Sequence, residues 1–405
     1  MQYRWTKKYE FFFFLLLLSI VFTRVLANFN NFNYSISVWL PVVFIPVSLL
    51  YGLGTLKIKK SINTVKIESI LYILIIGFLV SVPFFQMIFF QNLIDSEGRY
   101  SHNYILVTSS LAVSWMLAGS VVAKVESSLA INVILLFYFI LSLFYLYTGL
   151  DGGYFIDYYS LSSLRNDDIK IHHLSLTEPL TYIIFLTLSF FIKKNYIKWL
   201  ALLLMTYIML ALGGRVSFFS FVFTIFFYEF LISDKRFFLA KLSFIIFILL
   251  IIIYSLKGLF IDSDAYKKIF FEGGIGQDSS LEARLDFFSD FNNGILSQFL
   301  IGNVNYFIER HNTLGSYAHN ILSVFQFYGT LSFLTIIYTF YYIFKKIFYY
   351  KIYESLSPID TFGFLLLVYS FISILVGKAV LFSPMWFVIG FWLIRLRLFK
   401  VKNYV

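Results

Sequence analysis

The chain has 405 residues, of which 60% are hydrophobic, 22% aromatic and only 13% charged, whereas a soluble domain carries charge on roughly a quarter of its residues. That composition excludes soluble, secreted, disordered and coiled-coil classes and marks a polytopic membrane protein. The net charge of +10 is scattered between apolar runs, which argues against a nucleic-acid partner, and the absence of Cys removes disulfides, thiolate metal sites and cysteine nucleophiles.

Lys7 and Lys8 precede an apolar run that holds Arg24 instead of a small-residue cleavage site, so no cleaved signal peptide is expected. About 20 apolar residues cross a bilayer as a helix. Segmenting at polar breaks gives about twelve such stretches, near 11–27, 34–53, 69–91, 104–123, 129–148, 177–192, 196–212, 215–232, 239–256, 319–344, 361–377 and 380–396. Lipid offers no water to backbone groups, so all are expected to be helical. One all-α membrane domain over 1–405 follows.

Orientation follows the loops that carry Lys and Arg. With a cytoplasmic N-terminus, one side receives 21 of the 32 basic residues, and the other keeps 11 together with 15 of the 22 acidic ones, so the faces come out near +14 and −4. One missed span would invert half the loops and spoil this alternation. Twelve spans with both termini cytoplasmic are therefore expected. Two external loops exceed a turn, loop 3 over 149–176 and loop 5 over 257–318. Long loops without regular structure usually bind or catalyse.

Arg215 opens the eighth span in Gly213-Gly214-Arg215-Val216-Ser217. Two glycines permit a tight turn, after which free N–H groups and a guanidinium face outward together, half of a clamp for a pyrophosphate. The same string also serves as a plain turn with an Arg reaching the interface. In loop 5, Ser279 and Glu282 form a capping box that begins a short helix near 280–291. Leu281, Leu285, Phe288 and Phe291 share its apolar stripe, and Arg284 falls within that stripe instead of among Glu282, Asp286 and Asp290. It is expected to face a buried anion or, alternatively, to lay its stem on lipid.

His319 begins the tenth span, and positions 319, 323, 326 and 330 read His, Ser, Gln, Thr along one helical face. Polar groups in a span generally face a bundle interior or a wet cavity. A helix N-terminus disfavours imidazolium, leaving a neutral ring able to accept a proton. A structural His making one hydrogen bond is the other reading. His172-His173 beside Asp167 and Asp168 lacks a helix-spaced ligand pair, so no metal is expected. Asp262-Ser263-Asp264 reads as a solvated loop start, and Gly273-Gly274-Ile275-Gly276 as a flexible loop.

Taken together, the chain resembles the bacterial O-antigen polymerases, which share a superfamily with the O-antigen ligases. The resemblance rests on Gly214-Arg215, the Arg284 helix, Leu300-Ile301-Gly302-Asn303, and Ala318-His319-Asn320 leading to Gly329. It covers about 210 to 345 by motif and the remainder by topology. Gly294 follows Arg284 at about the family's Arg-to-Gly spacing, whereas Arg165 in loop 3 has no such glycine.

The resemblance implies a bundle similar to GT-C glycosyltransferases, in the bacterial inner membrane, with its active site facing the periplasm. It implies glycosyl transfer between two undecaprenyl-pyrophosphate-linked glycans, with His319, Arg215 and Arg284 as catalytic residues and Gly214, Asn320, Ser323 and Gln326 contacting substrate. No metal or other cofactor is required, and the partners are the lipid-linked donor and acceptor, the bilayer and a chain-length regulator protein. An O-antigen ligase is the nearest alternative. A lipid-linked-oligosaccharide flippase is the other, although it would need no long external loop and should carry ionisable groups at mid-membrane.

Overall fold

The computed structural model describes residues 67–124, 173–191, 195–211, 214–232, 294–354 and 357–402, together with Asp286. The spans expected near 11–27, 34–53, 129–148 and 239–256 lie outside the described residues, as do Arg165, Arg284 and, apart from Asp286, the amphipathic helix near 280–291.

The described residues are helical, with one isolated antiparallel bridge between Ile94 and Tyr100 and no strand. In chain order the helices are α1 (Ile67–Phe89), α2 (Ser101–Val122), α3 (His173–Phe191), α4 (Asn195–Ala211), α5 (Arg215–Ile232), α6 (Asn305–His311), α7 (Leu322–Tyr349), α8 (Pro358–Val376) and α9 (Ser383–Lys402). Eight of these coincide with expected spans; α6 lies in loop 5. Five of them, α1, α2, α5, α7 and α8, are long and apolar enough to cross a membrane. The chain has the make-up of a helical, multi-pass membrane protein.

Helices in lipid gain little from apolar burial against one another, so close backbone packing and buried polar bonds hold them together. The tightest crossing joins α2 to α9. A Cβ added to Gly119 would lie 2.0 Å from the Phe387 carbonyl oxygen, and one added to Gly390 would lie 1.9 Å from the Met116 carbonyl oxygen. The two backbones therefore touch. Buried Trp386 and Trp392 on α9 donate to the carbonyls of Val380 and Gly363 at 2.7 and 2.9 Å.

A latch closes the end of the bundle at which α8 begins and α2 and α9 finish. Ser357 caps α8: its hydroxyl accepts from the Asp360 N–H and donates to the Asp360 carboxylate at 2.6 Å. Arg395 then grips Asp360 through two nitrogens and donates to the Ala123 carbonyl at 2.9 Å, tying α8, α9 and α2 together.

Helix α7 is broken. Gly329 has φ 79° and ψ −179°, a region open essentially to glycine alone. The break frees carbonyls that loop 5 and α1 then satisfy. Asn303 N–H donates to the Gln326 carbonyl at 2.9 Å, and Thr330 N–H donates to that of Phe299 at 2.9 Å. The buried Gln86 amide donates to the carbonyls of both Ile301 and Phe327, each at 2.7 Å. Gly302, at φ 70°, faces the Phe327 backbone, and Gly329 faces that of Leu300. The Leu300-Ile301-Gly302-Asn303 stretch is thus the plug that fills the broken helix.

Candidate functional site

The chain direction brings the beginnings of α3, α5, α7 and α9 to the bundle end opposite the Arg395 latch, where α8 also finishes. Gly214 packs against α3, since a Cβ there would sit 3.5 Å from the Thr177 hydroxyl. That contact places Arg215, the half-exposed first residue of α5, beside the start of α3. Glu178, next to Thr177, accepts from the Ser383 hydroxyl at 3.3 Å. Deeper in, the Tyr369 hydroxyl meets Thr181 at 3.3 Å, with Ser217 of α5 and Ser373 beside it.

His319 is half-exposed and stands in the turn before α7, two residues ahead of its N-cap Ile321. The helix expected to begin at His319 begins at Leu322. The polar stripe is consequently divided between turn, helix and break, and its other members each hold backbone. Ser323 donates to the Asn320 carbonyl and accepts from Val380 N–H, both at 2.7 Å. Gln326 accepts from Ala318 N–H at 2.8 Å, and Thr330 donates to the Phe299 carbonyl at 2.7 Å. Asn320 accepts from Leu322 N–H at 2.9 Å. These bonds fix the turn, and the half-exposed His319 imidazole has its ring 5.2 Å from that of Tyr317.

Tyr317 stands between His319 and a pair of groups, Tyr104 and Glu178. Its hydroxyl is bonded to Tyr104 on α2, and Glu178 is near enough to act on it electrostatically. Burial, followed by the neighbouring Tyr104 and Glu178, pushes the Tyr317 hydroxyl well above its ordinary range, so it remains a neutral donor. Behind it, Asp95 staples the short loop between α1 and α2 to residues 313–314. Its carboxylate accepts from the backbone N–H groups of Glu97, Arg99 and Leu314 at 3.0, 2.8 and 3.2 Å. It also accepts from the Arg99 guanidinium at 2.7 Å. Burial alone favours the neutral acid, yet the Arg99 and backbone bonds outweigh it and hold the Asp95 carboxyl at about 2.

Of the expected site residues, the structure brings Gly214, Arg215, His319, Asn320 and Ser323 to one end of the bundle, while Gln326 lies inside as a backbone bond. Sequence reasoning missed Glu178, Tyr317 and Lys378. Lys378 is 5% exposed, in the connection between α8 and α9, with its ammonium 5.5 Å from the centre of the Phe382 ring. Its signal was a single cation in a two-residue gap between apolar runs. Among the described residues no three His, Asp or Glu gather as a metal site. No family model, curated protein or solved structure matches the chain.

Proposed function

We propose that the protein is an O-antigen polymerase of the bacterial inner membrane, with twelve spans, both termini cytoplasmic and its active site open to the periplasm. The observation that carries the reading is the convergence of the Gly214-Arg215 helix start and the His319 turn on one end of an apolar helical bundle. An arginine at a helix N-terminus suits a phosphate oxygen, and fixed cations lower the barrier to losing a pyrophosphate.

In this reading the growing glycan is joined through its anomeric carbon to undecaprenyl pyrophosphate. A hydroxyl at the non-reducing end of the incoming lipid-linked repeat unit attacks that carbon. A new C–O bond forms as the bond from the anomeric carbon to the phosphate oxygen breaks, and undecaprenyl pyrophosphate leaves with the electron pair. The hydroxyl proton passes to the His319 imidazole and on to water. Arg215 and Arg284 hold the departing charge. No step requires a metal, because arginines can meet pyrophosphate charge directly.

The break in α7 favours a second reading. Interrupted helices are the usual substrate and ion sites of transporters, and a lipid-linked-oligosaccharide flippase would also handle a pyrophosphate lipid. Here, however, the break is filled by loop 5 and Gln86. Deleting the gene in its host and resolving the lipopolysaccharide on a gel separates the readings. Loss of a polymerase leaves one repeat unit on the lipid core; loss of a flippase or an O-antigen ligase leaves none.

A further inference from the structure

We propose that residues 295–300 of loop 5 enter the membrane, with Ile295, Leu296, Phe299 and Leu300 against the acyl chains of the bilayer, an inference that rests on the helical membrane architecture and not on the polymerase reading. Residues 294–298 form a short helical turn whose polarity is inside out. Gly294 and Gln298 face inward: Gln298 is fully buried, and a Cβ on Gly294 would lie 2.7 Å from the Tyr306 ring. The apolar side chains face outward, with Leu296 87% and Leu300 77% exposed and Ile295 and Phe299 exposed beside them. Ser297, the polar residue among them, turns its hydroxyl back on the Gly294 carbonyl at 2.9 Å. No charged residue falls between Asp290 and Glu309. A loop in water would reverse this arrangement, and a contiguous apolar patch marks a contact with membrane or protein.

Depth selects the membrane. Helix α7 meets the opposite membrane surface near Lys345 and Lys346, whose ammonium groups lie 5.5–5.7 Å from the ring centres of Tyr341, Tyr342, Tyr349 and Tyr350, a belt of the kind found where helices leave lipid. From Thr330 to Lys345 the helix rises about 22 Å, against a hydrocarbon core of about 30 Å. Thr330 therefore lies about 8 Å below the near surface, and tilting α7 only deepens it. The segment is fastened at that level. The Phe299 carbonyl accepts from both the N–H and the hydroxyl of Thr330, at 2.9 and 2.7 Å, and the Ile301 carbonyl accepts from Gln86 at 2.7 Å. On α1 the exposed apolar side chains run on past Gln86 to Ile88 and Phe89, and on α7 they resume at Leu331 and Leu334. The patch is thus continuous with the outer faces of two membrane-spanning helices. Lipid requires backbone groups to be bonded internally, as these two carbonyls are, and Gly302 N–H donates to the Gln298 carbonyl at 3.0 Å.

The chain contains no Cys, so a single introduced Cys carries one spin label. The full-length protein with Leu296→Cys or Leu300→Cys is labelled and placed in vesicles of phosphatidylcholine and phosphatidylglycerol. Collisions are then measured with oxygen, which concentrates in hydrocarbon, and with a neutral nickel chelate, which stays in water. Both labels should show an oxygen-to-nickel ratio like that of Leu334→Cys on α7 and several-fold above that of Glu309→Cys, an exposed residue of α6. A ratio like that of Glu309→Cys would overturn the inference by placing the segment in water. Few collisions with either reagent would overturn it by showing that protein covers the patch. Adding undecaprenyl phosphate should change nothing; a fall in oxygen collisions would make the patch a seat for a polyprenyl tail and overturn its assignment to bulk lipid. Should the Cys variants fail to fold, wild type in the same vesicles is photolabelled with a carbene reagent dissolved in the bilayer, and its peptides are read by mass spectrometry. Labels on 295–300 as well as on Phe84 and Phe85 support the inference, and labels on α1 alone overturn it.

Discussion

Gly329→Ala tests the architecture beneath the site. The substitution places a methyl group 2.2 Å from the Leu300 carbonyl oxygen and 2.5 Å from its carbon, both parts of a backbone that cannot swing aside. It also forces alanine into a conformation nearly reserved for glycine, at about 1–3 kcal/mol. Relief requires the plug to withdraw, which breaks the bonds from Asn303 and Thr330 N–H and strains the two from Gln86. Leaving one or two buried polar groups unmet adds about 1–3 kcal/mol each. The expected destabilisation is therefore about 2–9 kcal/mol, a large fraction of the roughly 5–15 kcal/mol that stabilises a typical protein. The assay is unfolding of the purified protein in mixed micelles, followed by tryptophan fluorescence. Gly77→Ala on α1 is the control, because nothing lies within 4 Å of a Cβ there, and alanine in a helix gains up to about 1 kcal/mol over glycine. If Gly329→Ala unfolds within about 1 kcal/mol of wild type, the docking of loop 5 into the broken helix is wrong.

Three further outcomes follow from the same contacts. Because the folded Asp95 carboxyl sits at about 2, below its ordinary 3.8, the stability it contributes is fully present above pH 4 and lost as pH falls from 4 to 2. Asp95→Asn should be less stable at pH 7 and lack that acid-dependent loss; equal slopes for the two proteins in thermal unfolding between pH 4 and 2 would count against the staple. Gly390→Val should separate α2 from α9 and cost at least about 1–3 kcal/mol as overpacking, seen as a lost monodisperse peak in size-exclusion chromatography; a normal peak and melting temperature would refute the backbone contact. Arg395→Met leaves Asp360 buried with its partner gone, at about 3–5 kcal/mol, and adding Asp360→Leu should recover most of it; no recovery in the double variant would deny that the two form one unit.

The helices were legible because lipid allows little else: eight apolar runs between polar breaks became helices within a few residues. Their interruptions were harder to foresee. Nothing in Phe327-Tyr328-Gly329-Thr330 distinguishes a kink from a continuous span, since Gly329 takes its φ from a loop that docks about thirty residues earlier in the chain. The same loop explains the polar stripe, whose spacing implied one wet face. Ser323, Gln326 and Thr330 instead satisfy backbone that the turn and the break leave exposed. Gln86 read as an ordinary polar residue in an apolar span, although its amide bridges two segments more than 200 positions away. At the site, Gly214-Arg215 was readable as two glycines before a helix, whereas Glu178 and Lys378 are single charges whose meaning comes from the helices beside them.

The most direct test of the central claim is a reconstituted reaction with the purified protein, one lipid-linked repeat unit and no other enzyme, run for wild type, Arg215→Lys and His319→Gln at matched amounts. Wild type should build a ladder of lipid-linked glycan, releasing one undecaprenyl pyrophosphate for each bond formed. Arg215→Lys should slow it by losing the planar fork, and His319→Gln should lower the rate about 10²–10⁴-fold, as expected when a general base is removed. A ladder that both variants build at the wild-type rate would contradict the roles assigned to Arg215 and His319, and a folded wild-type protein that binds the lipid-linked unit yet joins none would contradict the polymerase itself.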